Sequence, residues 1–413
     1  MFFLLVFIRA LLQLGVGCIS PSLPFFIIRD SRDVLEYLAL HDAGILDKFE
    51  GRYHLVYSLV YYLRDKCSNV DILDLTKVLI FCIDVVSAWF WYRTVALIPA
   101  ANLSKNRHVE GYGFVTSPLF ISGLHLLNPI SVLYNEATNC AGCQYFWASF
   151  AIYAAVKLNT LNRPSAIVYF LYQFAATGLM TTSFKMYLAL PALTMLAVHR
   201  RFNFGAQSSI NRDDLKRLCR YIIPHMILTA SLVLLGHSNL LHELKHRVVN
   251  EYTGRGTGID YSIYWYIHRV VPTEFQVGNI LKSQMVVFLL PIPLVVMLRL
   301  RPLECVITSL SIAIMQDTSL SLLGIWYIVC LFAVHYPMMD KCFGFTKMMT
   351  LAFAAMIFSV MAYICWVGRY IANPNYFFAP QLIILVIICM VLEDYTSANV
   401  QLSNSGIHSE KCR

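Results

Sequence analysis

The chain has 413 residues, of which 58% are hydrophobic and only 14% charged, with a formal net charge of +8 and a mean hydropathy of +0.60. Soluble domains carry about a quarter charged residues, so these values exclude an ordinary water-soluble fold and point to a membrane protein with many spans. The positive balance follows from short basic loops between apolar runs, as membrane topology requires, and gives no reason to invoke nucleic acid.

Apolar runs able to cross a hydrocarbon core of about 30 Å recur along the chain. They lie at 2–19, 72–98, 114–134, 140–157, 164–180, 183–199, 219–236, 280–298, 303–316, 320–338, 346–366 and 376–392. The pattern predicts an all-α, polytopic fold of about 12 transmembrane helices. It forms one multi-span domain, 1–392, followed by a short, polar and loose cytosolic tail, 393–413. Arg9 sits inside the first run and no small-residue cleavage site follows, so this run predicts a retained helix rather than a signal peptide.

Between the first two runs, Val34, Leu35, Leu38 and Ile45 recur at helical spacing, with Ser31 as a cap and Gly44 near the stop. The run 55–63 is too short to span, so segment 30–66 predicts helices lying in the membrane interface, with Tyr57, Tyr61 and Tyr62 at headgroup depth. Asp30 and Asp33 open this segment in the position where lipid-linked-sugar glycosyltransferases carry a catalytic carboxylate. Arg29 and Arg32 interleave with them and no Asp-x-Asp follows, which favours a charged loop. Asp84 lies within the second run and Lys185 at the edge of another, positions where a charge faces protein or a water-filled cavity rather than lipid.

Basic residues fix the predicted orientation. Lys105, Arg107, Arg163, the cluster from Arg200 to Arg220, Arg299, Arg301, Lys341, Lys411 and Arg413 fall on one side, while the loops at 135–139, 181–182 and 317–319 carry no Lys or Arg. The basic side is expected to be cytosolic and to hold both termini. Segments 20–71, 237–279 and 367–375 then face the lumen. The sequon Asn102-Leu103-Ser104 falls on the cytosolic side and should be silent.

Cysteine and histidine offer little chemistry. The 12 cysteines are scattered, and most, such as Cys82, Cys330, Cys365 and Cys389, lie in spans as small packing residues. Cys140 and Cys143 form a C-x-x-C without a second pair at zinc spacing. His237, His242, His246 and His268 share a segment with Glu243 and Glu251. His242 and His246 fall on one helical face, but a solvated amphipathic surface explains them better than a metal site. No metal and no cofactor is expected.

The last lumenal segment, Arg369-Tyr-Ile-Ala-Asn-Pro-Asn-Tyr-Phe-Phe-Ala-Pro380, holds more polar chemistry than a turn needs. Asn373 and Asn375 bring donors and acceptors. Pro374 stiffens their spacing, and Arg369 can form a charge-assisted bond to phosphate. Tyr376 and Phe377 begin a span at the depth of sugar faces and acyl chains. An aromatic-belt turn with a snorkelling arginine would look similar.

Several blocks together carry a family resemblance: FIRALLQ in the first run, RDVLEYLALHDAGI after it, LHLLNPISVL from Leu124 to Leu133, and Thr138-Asn139-Cys140-Ala141. Tyr264-Trp265-Tyr266, FLLPIPLVVMLRLRP at 288–302 and ANPNYFFA follow them. With these the chain resembles, over nearly its whole length, the PIG-U family, the U subunit of glycosylphosphatidylinositol (GPI) transamidase. It departs from the family at Tyr53-His54-Leu55-Val56 and at Leu46-Asp47-Lys48.

The resemblance implies a multi-pass protein of the endoplasmic reticulum membrane, distantly similar to GT-C glycosyltransferase membrane domains. It implies an accessory subunit that helps to bind and present GPI, while the catalytic cysteine belongs to another subunit. The implied partners are the other transamidase subunits and the GPI lipid, and the GPI-binding positions carried over are Asn373 and Asn375. Beside them the physical reading of the loop places Arg369, Tyr376 and Phe377. The alternative expectation is a GPI-mannosyltransferase-like enzyme using a dolichyl-phosphate sugar, with Asp30 or Asp33 as base.

Overall fold

The computed structural model describes residues 1–19, 39, 42–43, 60, 62–64, 71–98, 116–136, 142–161, 165–182, 188–198, 219, 221, 223–224, 227, 263–270, 289–298, 301–317, 320–336, 339, 345–371 and 373–411. Among these residues every regular element is helical and no strand occurs. The interfacial segment 30–66, the sequon at Asn102, the run 219–236 and most of 237–279 lie outside them or are described only at isolated positions.

Helix α1 (Phe2–Ile19) lies against two short helices, α3 (Pro118–Leu126) and α4 (Pro129–Glu136). Helix α2 (Ile72–Leu97) starts where Asp71 accepts from the Leu73 amide at 3.1 Å, with Asp74 in its first turn complementing the helix dipole. The run 114–134, expected to be one span, is broken. Ser117 caps α3 with Pro118 just inside it. Asn128 Oδ1 then accepts from the Ile130 amide at 2.9 Å and restarts the chain as α4, with Pro129 at its first position. Proline in mid-run removes a helical donor and clashes with the preceding turn, so the apolar pattern is continuous while the helix is not.

Helix α5 (Gly142–Thr160) is the central post, packed on α2, on α6 (Ala166–Thr182) and on α7 (Leu190–Val198). Its buried alanines 148, 151, 154 and 155 let neighbours approach closely. At the α5–α6 seam a Cβ on Gly178 would collide with the Trp147 ring. Phe90 of α2 stacks on Phe150 of α5 at 4.7 Å and 10°.

Beyond α8 (Ile263–Val270) and α9 (Pro291–Met297), helix α10 (Pro302–Met315) packs on α7 and α11 (Leu322–Ala333). Its 14 residues reach only about 21 Å, and nearly all are buried in protein. Protein rather than lipid surrounds it, and its 303–316 run is short for the hydrocarbon thickness.

Helix α12 (Phe345–Tyr363) and helix α13 (Pro374–Lys411) pair along their lengths. Among the described residues these two supply the stretches long and apolar enough to cross a bilayer unaided, Thr346–Trp366 and Pro374–Gln401. Leu351, Phe353, Ile357, Phe358 and Met361 stand open on α12, which suits contact with acyl chains.

The polar stretch from Glu393, expected to be loose, continues α13 to Lys411. The reason is burial of its polar face. Tyr395 and Asn399 are fully enclosed. Tyr395 shares a hydrogen bond with His335 Nδ1 at 3.0 Å, and Asn399 Oδ1 accepts from Arg301 at 2.6 Å. Glu304 sits 3.6 Å from Arg301 and 3.9 Å from His335, completing a knot that ties α13 to α10 and the end of α11.

Candidate functional site

Between α12 and α13 the chain makes one wide turn. The end of α12 loosens into a π-helical segment, Ile364–Gly368, where the Arg369 amide donates to Ile364 O at 3.0 Å. Tyr370 follows at φ 56°. A non-glycine residue in the left-handed region costs on the order of 1–3 kcal/mol and persists only where its surroundings hold it. Here the Ile371 amide closes back onto Cys365 O at 2.9 Å. The reversal throws Tyr370 and Ile371 outward, 87% and 75% exposed.

Asn373 starts α13. Its Oδ1 accepts from the Asn375 amide at 3.0 Å, its carbonyl accepts from the Tyr376 amide at 3.1 Å, and Pro374 occupies the first helical position. This is a sequence-encoded N-terminus, an Asn cap followed by a proline that needs no acceptor.

Three successive aromatic residues on a helix point in three directions about 100° apart. The expected row therefore divides: Tyr376 is 59% exposed, Phe378 is half-buried, and Phe377 faces inward at 5% exposure. Phe377 packs on Trp265 of α8 at 5.6 Å and on Tyr363 at 5.2 Å. Trp265 is fully buried, stacks on Trp366 at 5.8 Å, and donates from Nε1 to Gln381 Oε1 at 3.0 Å. Its neighbour Tyr266 lies flat on Phe378, 3.9 Å away at 10°, and its hydroxyl donates to Asn375 Oδ1 at 2.7 Å.

Of the five residues singled out from the sequence, Arg369, Asn373, Asn375 and Tyr376 thus lie exposed on this one turn. Phe377 joins the aromatic base beneath it. Sequence reasoning noticed Tyr264-Trp265-Tyr266 without giving it a part here. The signal was present, an aromatic triplet in one of the two other segments expected on the same side, but nothing in the sequence says which turn it meets.

A second polar group lies inside the bundle. Arg9 is fully buried, and its Nη2 reaches Asp84 at 3.2 Å and Ser131 at 3.1 Å. Ser131 also donates to Asp84. Towards the helix ends the set continues through Gln13, which donates to Glu136, and Lys77, 2.9 Å from Glu136. A small cavity beside the pair is lined by Asp84, His125, Asn128, Ser131 and Tyr145. Arg9 and Asp84 had each been noticed as charges inside apolar runs. Only the fold pairs them.

Of the other candidates, Asp30, Asp33, Cys140, Lys185, His237, His242 and His246 lie outside the described residues. Among the described residues no group of three or more His, Cys, Asp or Glu side chains is placed to hold a metal ion.

A model of the family described as "GPI transamidase subunit PIG-U" matches residues 28–384. That covers most of the chain, including the capped turn and the aromatic base. The chain belongs to the PIG-U family. As a PIG-U protein it is a subunit of GPI transamidase and works in a complex that attaches GPI anchors to proteins at the endoplasmic reticulum membrane. Membership favours this role over that of a glycosyltransferase. A search of curated proteins returns no match.

Proposed function

We propose that this PIG-U subunit contributes no catalytic residue and instead holds the GPI headgroup at the turn between α12 and α13. One observation carries the proposal: Arg369, Asn373, Asn375 and Tyr376 stand open on a turn whose base is a buried aromatic cluster. An ordinary reversal between two spanning helices needs no such support. The base fixes the polar groups at interface depth, so that acyl chains can lie along α12 and α13 while the headgroup meets the turn. Phe377 serves from below, by holding the first turn of α13 in place.

The test is the Asn373→Ala/Asn375→Ala double variant. Losing two hydrogen bonds at about 0.5–1.5 kcal/mol each weakens lipid engagement by roughly tenfold or more. Losing the Asn373 cap adds about 1 kcal/mol of local fraying. Precursor proteins should accumulate in cells while the variant still co-purifies with the other subunits. Normal processing with GPI limiting removes the turn from the lipid site.

The membrane arrangement that suits this role is a single multi-span domain of about twelve spans, similar to the membrane domains of GT-C enzymes and extended past 392 by the packed end of α13. Both termini are cytosolic and the α12–α13 turn is lumenal. The basic loops at 99–113, 200–218 and 299–302 support that orientation. Native Asn102 is then expected to remain without glycan, whereas a sequon engineered into 239–260 acquires one. A glycan on Asn102 reverses the map.

A further inference from the structure

We infer that α8 is a splint across a proline break in α13, and that Tyr264 and Gln316 are positioning residues which hold the lipid turn from the end of α10. The inference rests on the lipid-holding role proposed above and names what sets the height of the turn.

Pro380 lies inside α13. Proline has no N–H to give the carbonyl four residues back, here that of Tyr376, and its ring crowds the preceding turn. Such a site kinks or weakens a helix. The stretch from Pro374 to Ala379 is therefore joined to the rest of α13 less firmly than in an unbroken helix. That stretch carries Asn375 and Tyr376, which stand open on the turn.

Helix α8 bridges the weak point. Trp265 Nε1 donates to Gln381 Oε1 at 3.0 Å, directly after the proline. The Tyr266 hydroxyl donates to Asn375 Oδ1 at 2.7 Å, more than one helical turn before it. Two consecutive side chains of one helix thus grip α13 on both sides of the break. Between the two grips, Phe378 lies stacked against the Tyr266 ring at 3.9 Å.

The splint is itself anchored. Tyr264 and Tyr266 point about 200° apart around α8, so they reach to opposite sides of it. The Tyr264 ring is buried, and its hydroxyl donates to Gln316 Oε1 at 2.7 Å, at the C-terminal cap of α10. The other end of α10 holds α13 directly, where Arg301 donates to Asn399 at 2.6 Å. Helix α10 is too short to do both unaided. It rises about 22 Å from Arg301 to Gln316, whereas α13 rises about 36 Å from Asn375 to Asn399. Helix α8 makes up the difference, and the turn stands where α10 puts it.

The experiment uses the full chain in its purified complex. GPI lipid is titrated in nanodiscs, and its attachment to a precursor protein is the readout. Tyr264→Phe removes one hydroxyl and keeps the ring. It should raise the GPI needed for half-maximal attachment about threefold, with the maximal rate and complex assembly unchanged. In a Pro380→Ala background the helix is continuous and carries its own first turns. There the same change should move half-saturation little. A tyrosine that only adds stability would lower chain level alike in both backgrounds and leave half-saturation where it was.

Unchanged half-saturation in Tyr264→Phe, or an equal rise in both backgrounds, overturns the splint. Gln316→Leu should act like Tyr264→Phe, and the two together no more than either alone, because both cut the same tie. Additive rises overturn the tie to α10. The lipid-holding role fails separately, when Asn373→Ala/Asn375→Ala leaves half-saturation unchanged. A rise in that double variant with none in Tyr264→Phe overturns only the splint.

Discussion

Replacing Asp84 by Ala is expected to remove most of the protein from the membrane. Arg9 is fully buried and its recorded ion pair is with Asp84. Deleting one partner of a buried pair leaves a charge with no compensation and costs about 3–5 kcal/mol. Folded proteins are stable by only about 5–15 kcal/mol, so a loss of this size is severe. The damage spreads, because Arg9 joins α1 to α2 and, through Ser131, to the second half of the broken span.

Steady-state level and half-life after translation is stopped should both fall sharply, and co-purification with the other subunits should fall with them. The double change Arg9→Met/Asp84→Val removes both charges at roughly similar total volume, and should recover most of the level, as apolar replacement of buried pairs does. A normal half-life for Asp84→Ala would show that the pair is not what joins these helices.

Trp265→Ala is the second large effect. The indole is fully buried and bears on Trp366, Phe377 and, through its N–H, Gln381. Truncating a buried tryptophan to alanine costs about 3–5 kcal/mol in lost packing and cavity. That cost falls on the base under the α12–α13 turn, while the large core around α5 and α10 contains none of these residues.

Precursor processing should therefore collapse, with chain level and complex assembly reduced much less. Trp265→Phe keeps a ring and loses one neutral hydrogen bond, about 1 kcal/mol, so processing should be only mildly slowed. Equal losses in the two variants would show that the N–H to Gln381, rather than the aromatic packing, holds the turn. Full processing in Trp265→Ala would show that the base is dispensable.

The two predictions also mark where sequence reasoning stops. Asp84 and Arg9 were visible as charges in apolar runs, and Asp84 was expected to face protein or a water-filled cavity, because lipid does not tolerate a lone charge. Their partnership crosses 75 positions of chain, and no local pattern reports a contact of that span. Tyr266 and Asn375 lie 109 positions apart and escaped for the same reason. The break at Asn128-Pro129 was printed in the sequence but hidden by hydropathy, which averages over a window and cannot feel one missing amide. The end of α13 misled in the opposite sense: a polar stretch after the last apolar run looked loose until Arg301 and His335 were seen to cover it.

The sequence by itself determined that this is an all-helical membrane protein, because helices alone satisfy their backbone within such runs. Its blocks pointed to the PIG-U family, and it singled out the turn at Arg369 to Tyr376 by a cation, an Asn-Pro-Asn triplet and aromatics side by side. Those are local properties, legible wherever neighbours in the chain suffice. Tertiary structure decided which oxygens of the asparagines are already engaged, which aromatic ring is wall and which is floor, and which buried charges neutralise one another. Each of these depends on a residue brought from a distant helix, and hydrogen bonds and ion pairs act only at contact distance, so the fold had to bring the partners together before the choice existed.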